Sequence, residues 1–214
     1  MANFTIADIK TLREQLGTGM VDTKKALEEA DGDLEKAVEI LRLKGAKGNA
    51  KRADRSTSEG LVAATEKDGK VTILELNTDT DFVAKNDRFL ALADKVLAAA
   101  AAVGADSVEA ALAADADGKP VADLISDEAA IIGEKVELRR VRTLSGDKFE
   151  IYLHKTSKDL PPQIGVLVEL DGPDNETTAQ AAKEGGFMGF GGEQINDKER
   201  TVLDELRALM LQVG

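Results

Sequence analysis

VTILELNTDTDFVAKNDRFLALADKVLAAAAAV (residues 71–103) joins an apolar, strand-like run to a helix-like one through a short polar turn. VTILEL (71–76) has the β-branched and aliphatic composition of a strand, and the helical pattern begins near residue 87 and runs to about 103. Working backward, GLVAAT (60–65) is another strand, and Asp68-Gly69 between the two is a hairpin signal. Working forward, helical segments fall near 107–114 and 119–131. EKVELRRVRTL (134–144) then alternates Val136, Leu138 and Val141 with charge, the period of a half-buried strand. Ser145-Gly146-Asp147 turns the chain into KFEIYLHKT, and IGVLVEL (164–170) is a last strand. Two strands, helices, then further strands joined by sequential hairpins predict an α+β domain with a largely antiparallel sheet over 59–171.

Around this core lie three other segments. Residues 1–45 predict a three-helix unit. Thr5 and Asp8 are spaced as a capping box, Ile6, Ile9, Leu12 and Leu16 follow helical spacing, Asp33 is placed to cap the third helix, and Gly45 to end it. Residues 46–58 read as a mobile basic linker. From 42 to 55 six cations (Arg42, Lys44, Lys47, Lys51, Arg52, Arg55) face one anion, Asp54, a net of +5. Residues 172–214 hold a glycine-rich stretch, GGFMGFGG (185–192), followed by NDKERTVLDELRALMLQV, which predicts an amphipathic helix with Asn196 and Glu199 as its capping box.

Composition excludes several classes of function. The chain has 214 residues, of which 43% are hydrophobic and 32% charged, and its net charge is -12. Phosphate contacts need a cationic surface, so no direct nucleic-acid partner is expected. The chain has no cysteine, hence no disulfide framework, Cys zinc site or thiol chemistry. No signal peptide is legible, and the alanine-rich run 91–103 is too short to span a bilayer, so the expected location is cytoplasmic with no membrane contact. The single histidine, His154, lies in a strand-like run with no catalytic partner. GGFMGFGG lacks the Lys-Ser/Thr of a P-loop and reads as a hinge whose Phe187, Met188 and Phe190 are docking candidates. No enzyme constellation, no metal site and no cofactor are expected.

TDTDFVAKND (78–87) carries the remaining information. Phenylalanine is scarce, 6 in 214, yet Phe82 sits beside Asp79 and Asp81 in a turn. Two readings are open: Phe82 plugs the core while Asn86 caps the next helix, or Phe82 is an exposed wedge for a partner's pocket, of the kind that dominates interface energetics.

TDTDFVAKND resembles the signature of the elongation factor Ts family, the bacterial nucleotide-exchange factors for elongation factor Tu. Other stretches follow in the family's order: IKTLREQLGTGMVDTKKALEEADGDLEKAVEILRLKG (9–45), similar to its N-terminal module of ubiquitin-associated type, then IIGEKVELRRV (131–141), YLHK (152–155) and IGVLVEL (164–170). Together they cover roughly 1–171. The resemblance implies a partner, the translational GTPase elongation factor Tu, and site residues. Leu12, Arg13, Gly19, Met20 and Val21 of the helical module would grip the GTPase domain. Asp81 and Phe82, with Val83, would disturb the partner's magnesium and nucleotide site. Ile132, Gly133 and His154 would be further contacts. It implies guanine-nucleotide exchange; the alternative is a docking or sequestering module that binds without accelerating release.

The tail departs from the pattern. The family normally continues past its IGVLV strand into a second core half with a helical hairpin, and KTSKDLPPQ (155–163) is longer than the usual link. The final helix is expected to cover an exposed core face, to form a homodimer, or to come from a truncated or fused gene, with intramolecular covering the favoured reading.

Overall fold

The computed structural model describes residues 3–16, 18–146, 148–170 and 206–213, with backbone alone for Leu170 and 206–210. The helices, in chain order, are α1 (Ile6–Leu16), α2 (Met20–Glu29), α3 (Leu34–Arg52), α4 (Asp81–Ala84), α5 (Asp87–Val103), α6 (Val108–Ala113) and α7 (Val121–Ile132). The strands are β1 (Glu59–Lys67), β2 (Lys70–Thr78), β3 (Asp115–Ala116), β4 (Lys119–Pro120), β5 (Val136–Ser145), β6 (Phe149–His154), β7 (Ile164–Leu170) and β8 (Leu206–Gln212). The mixed α+β class expected from the sequence is the one observed. The chain divides into two compact units, residues 1–56 with 122–136 and residues 57–121 with 137–214.

In the first unit α1, α2 and α3 close on a small aliphatic core. Leu12, Ala26, Leu27, Ala30, Ala37 and Leu41 are buried, with Ile9, Leu16 and Val38 packed around them. Ile6, expected on the same face, is 84% exposed. The caps form as the sequence predicts. The Thr5 amide donates to Asp8 Oδ2 at 2.7 Å and the Asp8 amide to Thr5 Oγ1 at 3.2 Å. Asp33 Oδ1 accepts from the amides of Glu35 and Lys36. These amide bonds hold both carboxyls below the ordinary aspartate range, so their stabilisation is lost as pH falls through the lowered values.

The basic stretch is not a linker over most of its length. Gly45 does not end α3, which continues to Arg52. A neighbouring helix explains why. A Cβ on Gly45 would stand 2.8 Å from the Ala130 Cβ of α7, so glycine is what lets the two helices approach. Asn49 Nδ2 donates to the Ser126 carbonyl at 2.8 Å, and Arg52 donates to the Ala129 carbonyl at 3.4 Å. A local breaker signal is overridden by tertiary contact, and residues 122–136 group with the helical unit instead of the sheet.

The second unit is built on β2, where all of Val71–Thr78 is buried. β1 pairs with it antiparallel from Glu59↔Thr78 to Lys67↔Lys70. The turn has positive φ at Asp68 and Gly69, 53° and 68°, the type I′ geometry that Asp-Gly favours. β5 lies on the other side of β2, giving the order β1-β2-β5. One face of this sheet packs against α5, where Phe89, Leu92, Ala93 and Val96 are buried. The other packs against a second sheet, β6-β7-β8. Between the sheets Val62, Val71, Ile73, Leu167, Leu211 and Val213 form one cluster. Burial on both faces is why VTILEL reads as a continuous apolar run.

Two expectations are corrected here. Strands β5 and β6, read as successive arms of a hairpin, belong to different sheets, and β6 pairs with β7 from Phe149↔Glu169 to His154↔Ile164. Within NDKERTVLDELRALMLQV, residues 206–212 are a strand, not a helix. β8 adds antiparallel to β7, from Ile164↔Gln212 to Leu170↔Leu206. The open edge of β7 offers ladder hydrogen bonds, which outweigh helical propensity in so short a segment. Residues 206–213 thus lie against their own unit in extended form, with Leu211 and Val213 in the cluster between the sheets. The Asn196–Glu199 capping box and the 185–192 hinge lie outside the described residues.

β2 also carries a charge into the core. Glu75 is fully buried, and Arg140 of β5 donates its Nε to Glu75 Oε2 and its Nη2 to the Gln212 carbonyl of β8. One guanidinium thereby ties together three strands from two sheets. Removing it strands a carboxylate in the core. Arg140→Met is expected to lower the unfolding free energy by about 3 kcal/mol, at the lower edge of buried-pair losses because the Arg140 side chain is 42% exposed. Urea unfolding measures this, and adding Glu75→Gln should recover part of the loss. Gly165 sets the sheet spacing. A Cβ there would meet Val62 Cγ1 at 2.5 Å and Ile73 Cδ1 at 3.0 Å, so Gly165→Ala should cost about 1–3 kcal/mol in the same assay.

Candidate functional site

The TDTDFVAKND turn leaves the buried end of β2 and makes one helical turn before α5 begins. Its backbone is fixed from both sides. Asn77 is buried and its Nδ2 donates to the Thr57 carbonyl at 3.1 Å. Thr80 caps α4, its hydroxyl accepting from the Val83 amide at 3.4 Å. Asn86 caps α5, its Oδ1 accepting from the Arg88 amide at 2.8 Å. Ala84 is fully buried and anchors the turn to the sheet, while Val83 is half-buried.

Phe82 does not plug the core. It is 74% exposed, while Phe89, seven residues on, is fully buried. Of the two readings of this turn, the Asn86 cap is realised and the core plug is not. Asp81 lies beside the ring, half-buried, with Oδ2 3.4 Å from Lys85 Nζ. The same Nζ stands 4.8 Å from the centre of the Phe82 ring. Lys85 was given no role in the sequence reading. The signal was present, since Lys85 follows Asp81 by four residues and Phe82 by three, the two spacings that face each other on a helix.

His154 ends β6, exposed at an edge of the second sheet. Two residues earlier and on the same strand face, Tyr152 is a neighbour the sequence reading missed. Its hydroxyl is 2.9 Å from His154 Nδ1, and the rings stack with centroids 6.0 Å apart.

The remaining candidates belong to the helical unit. Met20 and Val21, at the start of α2, are 58% and 64% exposed, an apolar pair on a surface that folding alone does not require. Gly19 is the extended residue before α2, and Thr23 Oγ1 donates to its carbonyl at 2.9 Å. Arg13 is exposed, but Leu12 is 2% exposed within the three-helix core, so its side chain supports the surface and does not form it. Ile132 is half-buried and Gly133 is exposed in left-handed conformation (φ 84°), its amide donating to the Ala129 carbonyl at 2.9 Å. The structure thus gathers Leu12, Arg13, Gly19, Met20, Val21, Ile132 and Gly133 on one unit, and Asp81, Phe82, Val83 and His154 on the other.

Among the described residues no three His, Cys, Asp or Glu side chains gather into a group able to hold a metal ion, and no helix is long and apolar enough to cross a membrane. What the surface offers is exposed apolar side chains on rigid supports, the material of a protein interface.

Comparison with known proteins agrees in kind. A family model described as "Elongation factor TS" matches residues 79–184, beginning at Asp79 and continuing past the strand that ends at Leu170. The elongation factor Ts of Leifsonia xyli subsp. xyli is 66% identical over 188 residues, which are 87% of this chain and 68% of that relative. That of Clavibacter sepedonicus is 63% identical over 187 residues, with the same shares of the two chains. That of Pseudarthrobacter chlorophenolicus is 55% identical over 184 residues, 86% of this chain and 66% of the relative. With the folded signature turn and these identities, the chain belongs to the elongation factor Ts family of translation elongation factors.

Proposed function

We propose that the chain is a guanine-nucleotide exchange factor that binds elongation factor Tu carrying GDP and speeds GDP release in the cytoplasm during translation. The observation that carries this reading is Phe82, a phenylalanine held 74% exposed on a turn whose base is buried. Leaving such a ring in water forgoes about 2–3 kcal/mol of burial, which a partner's pocket can recover.

The mechanism follows from charge and shape. GDP and its Mg²⁺ are held in a GTPase by backbone amides, a lysine and oxygen ligands at closely set distances. Phe82 enters between elements of the partner, and the Asp81 carboxylate arrives beside the metal's ligand shell, where an added negative charge competes with the existing oxygen ligands. Val83 packs behind the ring. Met20 and Val21, with Arg13 and the Gly19 backbone, hold the GTPase domain, while Ile132, Gly133 and His154 add contacts. Binding the nucleotide-free partner more tightly than the GDP form lowers the barrier to release, and GDP must then weaken this binding by the same factor. No bond is made or broken, so the chain acts without catalytic residues of its own.

Release of fluorescent GDP from elongation factor Tu tests this directly. Phe82→Ala should cut the acceleration roughly 30-fold, the kinetic equivalent of the ~2 kcal/mol lost at an interface anchor. Its unfolding free energy should stay within about 0.5 kcal/mol, because the side chain packs on nothing that folding needs. Binding without accelerated release would instead assign the chain a docking role. The paired substitution Met20→Ala with Val21→Ala should weaken binding about tenfold and leave the maximal release rate at saturation nearly unchanged, since these residues grip the partner and do not enter its nucleotide site.

A further inference from the structure

We propose that Lys85 is a positioning residue, whose ammonium holds the Phe82 ring and the Asp81 carboxylate in the orientation in which they meet the partner. The inference rests on the exchange reading above and concerns a side chain to which that reading gives no contact. Lys85 Nζ lies 4.8 Å from the centre of the Phe82 ring and 3.4 Å from Asp81 Oδ2. A cation over a ring face within about 6 Å is attracted by the ring's quadrupole. One charged group therefore engages both residues of the Asp-Phe pair at once.

The backbone places it there. Lys85 is the C-cap of α4: its amide donates to the Asp81 carbonyl at 3.3 Å and the following amide, of Asn86, to the Val83 carbonyl at 2.9 Å, so the origin of the Lys85 side chain is fixed on the turn. Lys85 covers one face of the ring and still leaves Phe82 74% exposed, so the other face and the edge remain for a pocket. An exposed phenylalanine with no such neighbour samples several rotamers and must be ordered when it docks, one of the recurring costs of association. The contact joins a Lys85 side chain 39% exposed to an Asp81 side chain 47% exposed, so the ammonium orients the carboxylate while leaving it open to a partner.

The test compares the wild-type chain with Lys85→Met, which keeps the length and loses the cation, and with Lys85→Arg, which keeps the cation. Nuclear magnetic resonance of the free protein should show the Lys85 Hε protons shifted upfield by the ring current of Phe82, with the shift abolished in Phe82→Leu. In fluorescent GDP release from elongation factor Tu, Lys85→Met should raise the half-saturating concentration about two- to fivefold, with the maximal rate little changed, and Lys85→Arg should restore it. Unshifted Hε protons, a Lys85→Met variant equal to wild type, or a Lys85→Arg variant as weak as Lys85→Met would each overturn the proposal. A wild-type chain that binds but does not accelerate release overturns the exchange reading alone. The role of Lys85 is then decided by the ring-current shift and by the affinities of the variants for elongation factor Tu.

Discussion

Burial of β2 on both faces is the constraint from which the second unit follows. All of Val71–Thr78 is inaccessible to water, with helix α5 on one side and the β6-β7-β8 sheet on the other. Every polar group on such a strand must find its partner inside the protein or lose its hydration uncompensated. This accounts for the placement of Arg140, which answers the buried Glu75 and reaches the Gln212 carbonyl with the same guanidinium. It accounts as well for Thr72, whose hydroxyl meets that of Thr143 at 2.9 Å, and for Asn77, which bonds the backbone at Thr57. The strand that holds the core thereby fixes the start of the signature turn, whose first residue, Thr78, is the last of β2.

Phe82 and Phe89 show what that fixed start is for. The two rings differ in exposure from 74% to none, though they sit in consecutive helices. Phe89 contributes the burial of a large apolar side chain to the sheet–helix layer. Phe82 contributes almost nothing to folding, and its position is set by residues that do: Ala84 beneath it, Thr80 and Asn86 at its ends. The turn separates an exposed ring from the groups that hold it. A substitution at Phe82 can therefore leave folding nearly untouched, while one at Ala84 would not.

The parts of the fold that were legible in the sequence are those decided by neighbours in the chain. The Asp68-Gly69 turn, the Thr5–Asp8 box and the Asp33 and Asn86 caps all formed as read, because each depends on a few adjacent residues. The failures are all non-local. Gly45 reads as a helix end until Ala130 is seen packed against it. LRALMLQ has helical spacing, and only the free edge of β7 makes it a strand. Nothing between Ser145 and Phe149 states that β5 and β6 lie in separate sheets. The site shows the same division. Its candidate residues come from resemblance, but whether Phe82 faces the core or water depends on how the turn sits on the sheet, and composition is silent on that. The resemblance implies a contact at Leu12, and the burial of that side chain comes from α2 and α3, which the spacing within α1 alone does not show.

On the exchange function proposed above, Phe82 acts as a wedge, and a wedge is effective only if it is stiffer than what it enters. Were the base of α4 to yield on docking, the strain would be spent within this chain and a partner's nucleotide site would stay intact. The base here is a strand buried on both faces, continued by a turn with a hydrogen-bonded cap at each end. Close-packed interiors deform little, so the freedom that remains lies in the outermost side chains, Asp81, Phe82 and Lys85. Those three are linked to one another by a single ammonium. Rigidity therefore decreases outward from β2 to the ring, and any force on Phe82 is carried back to the strand with the deepest burial in the unit.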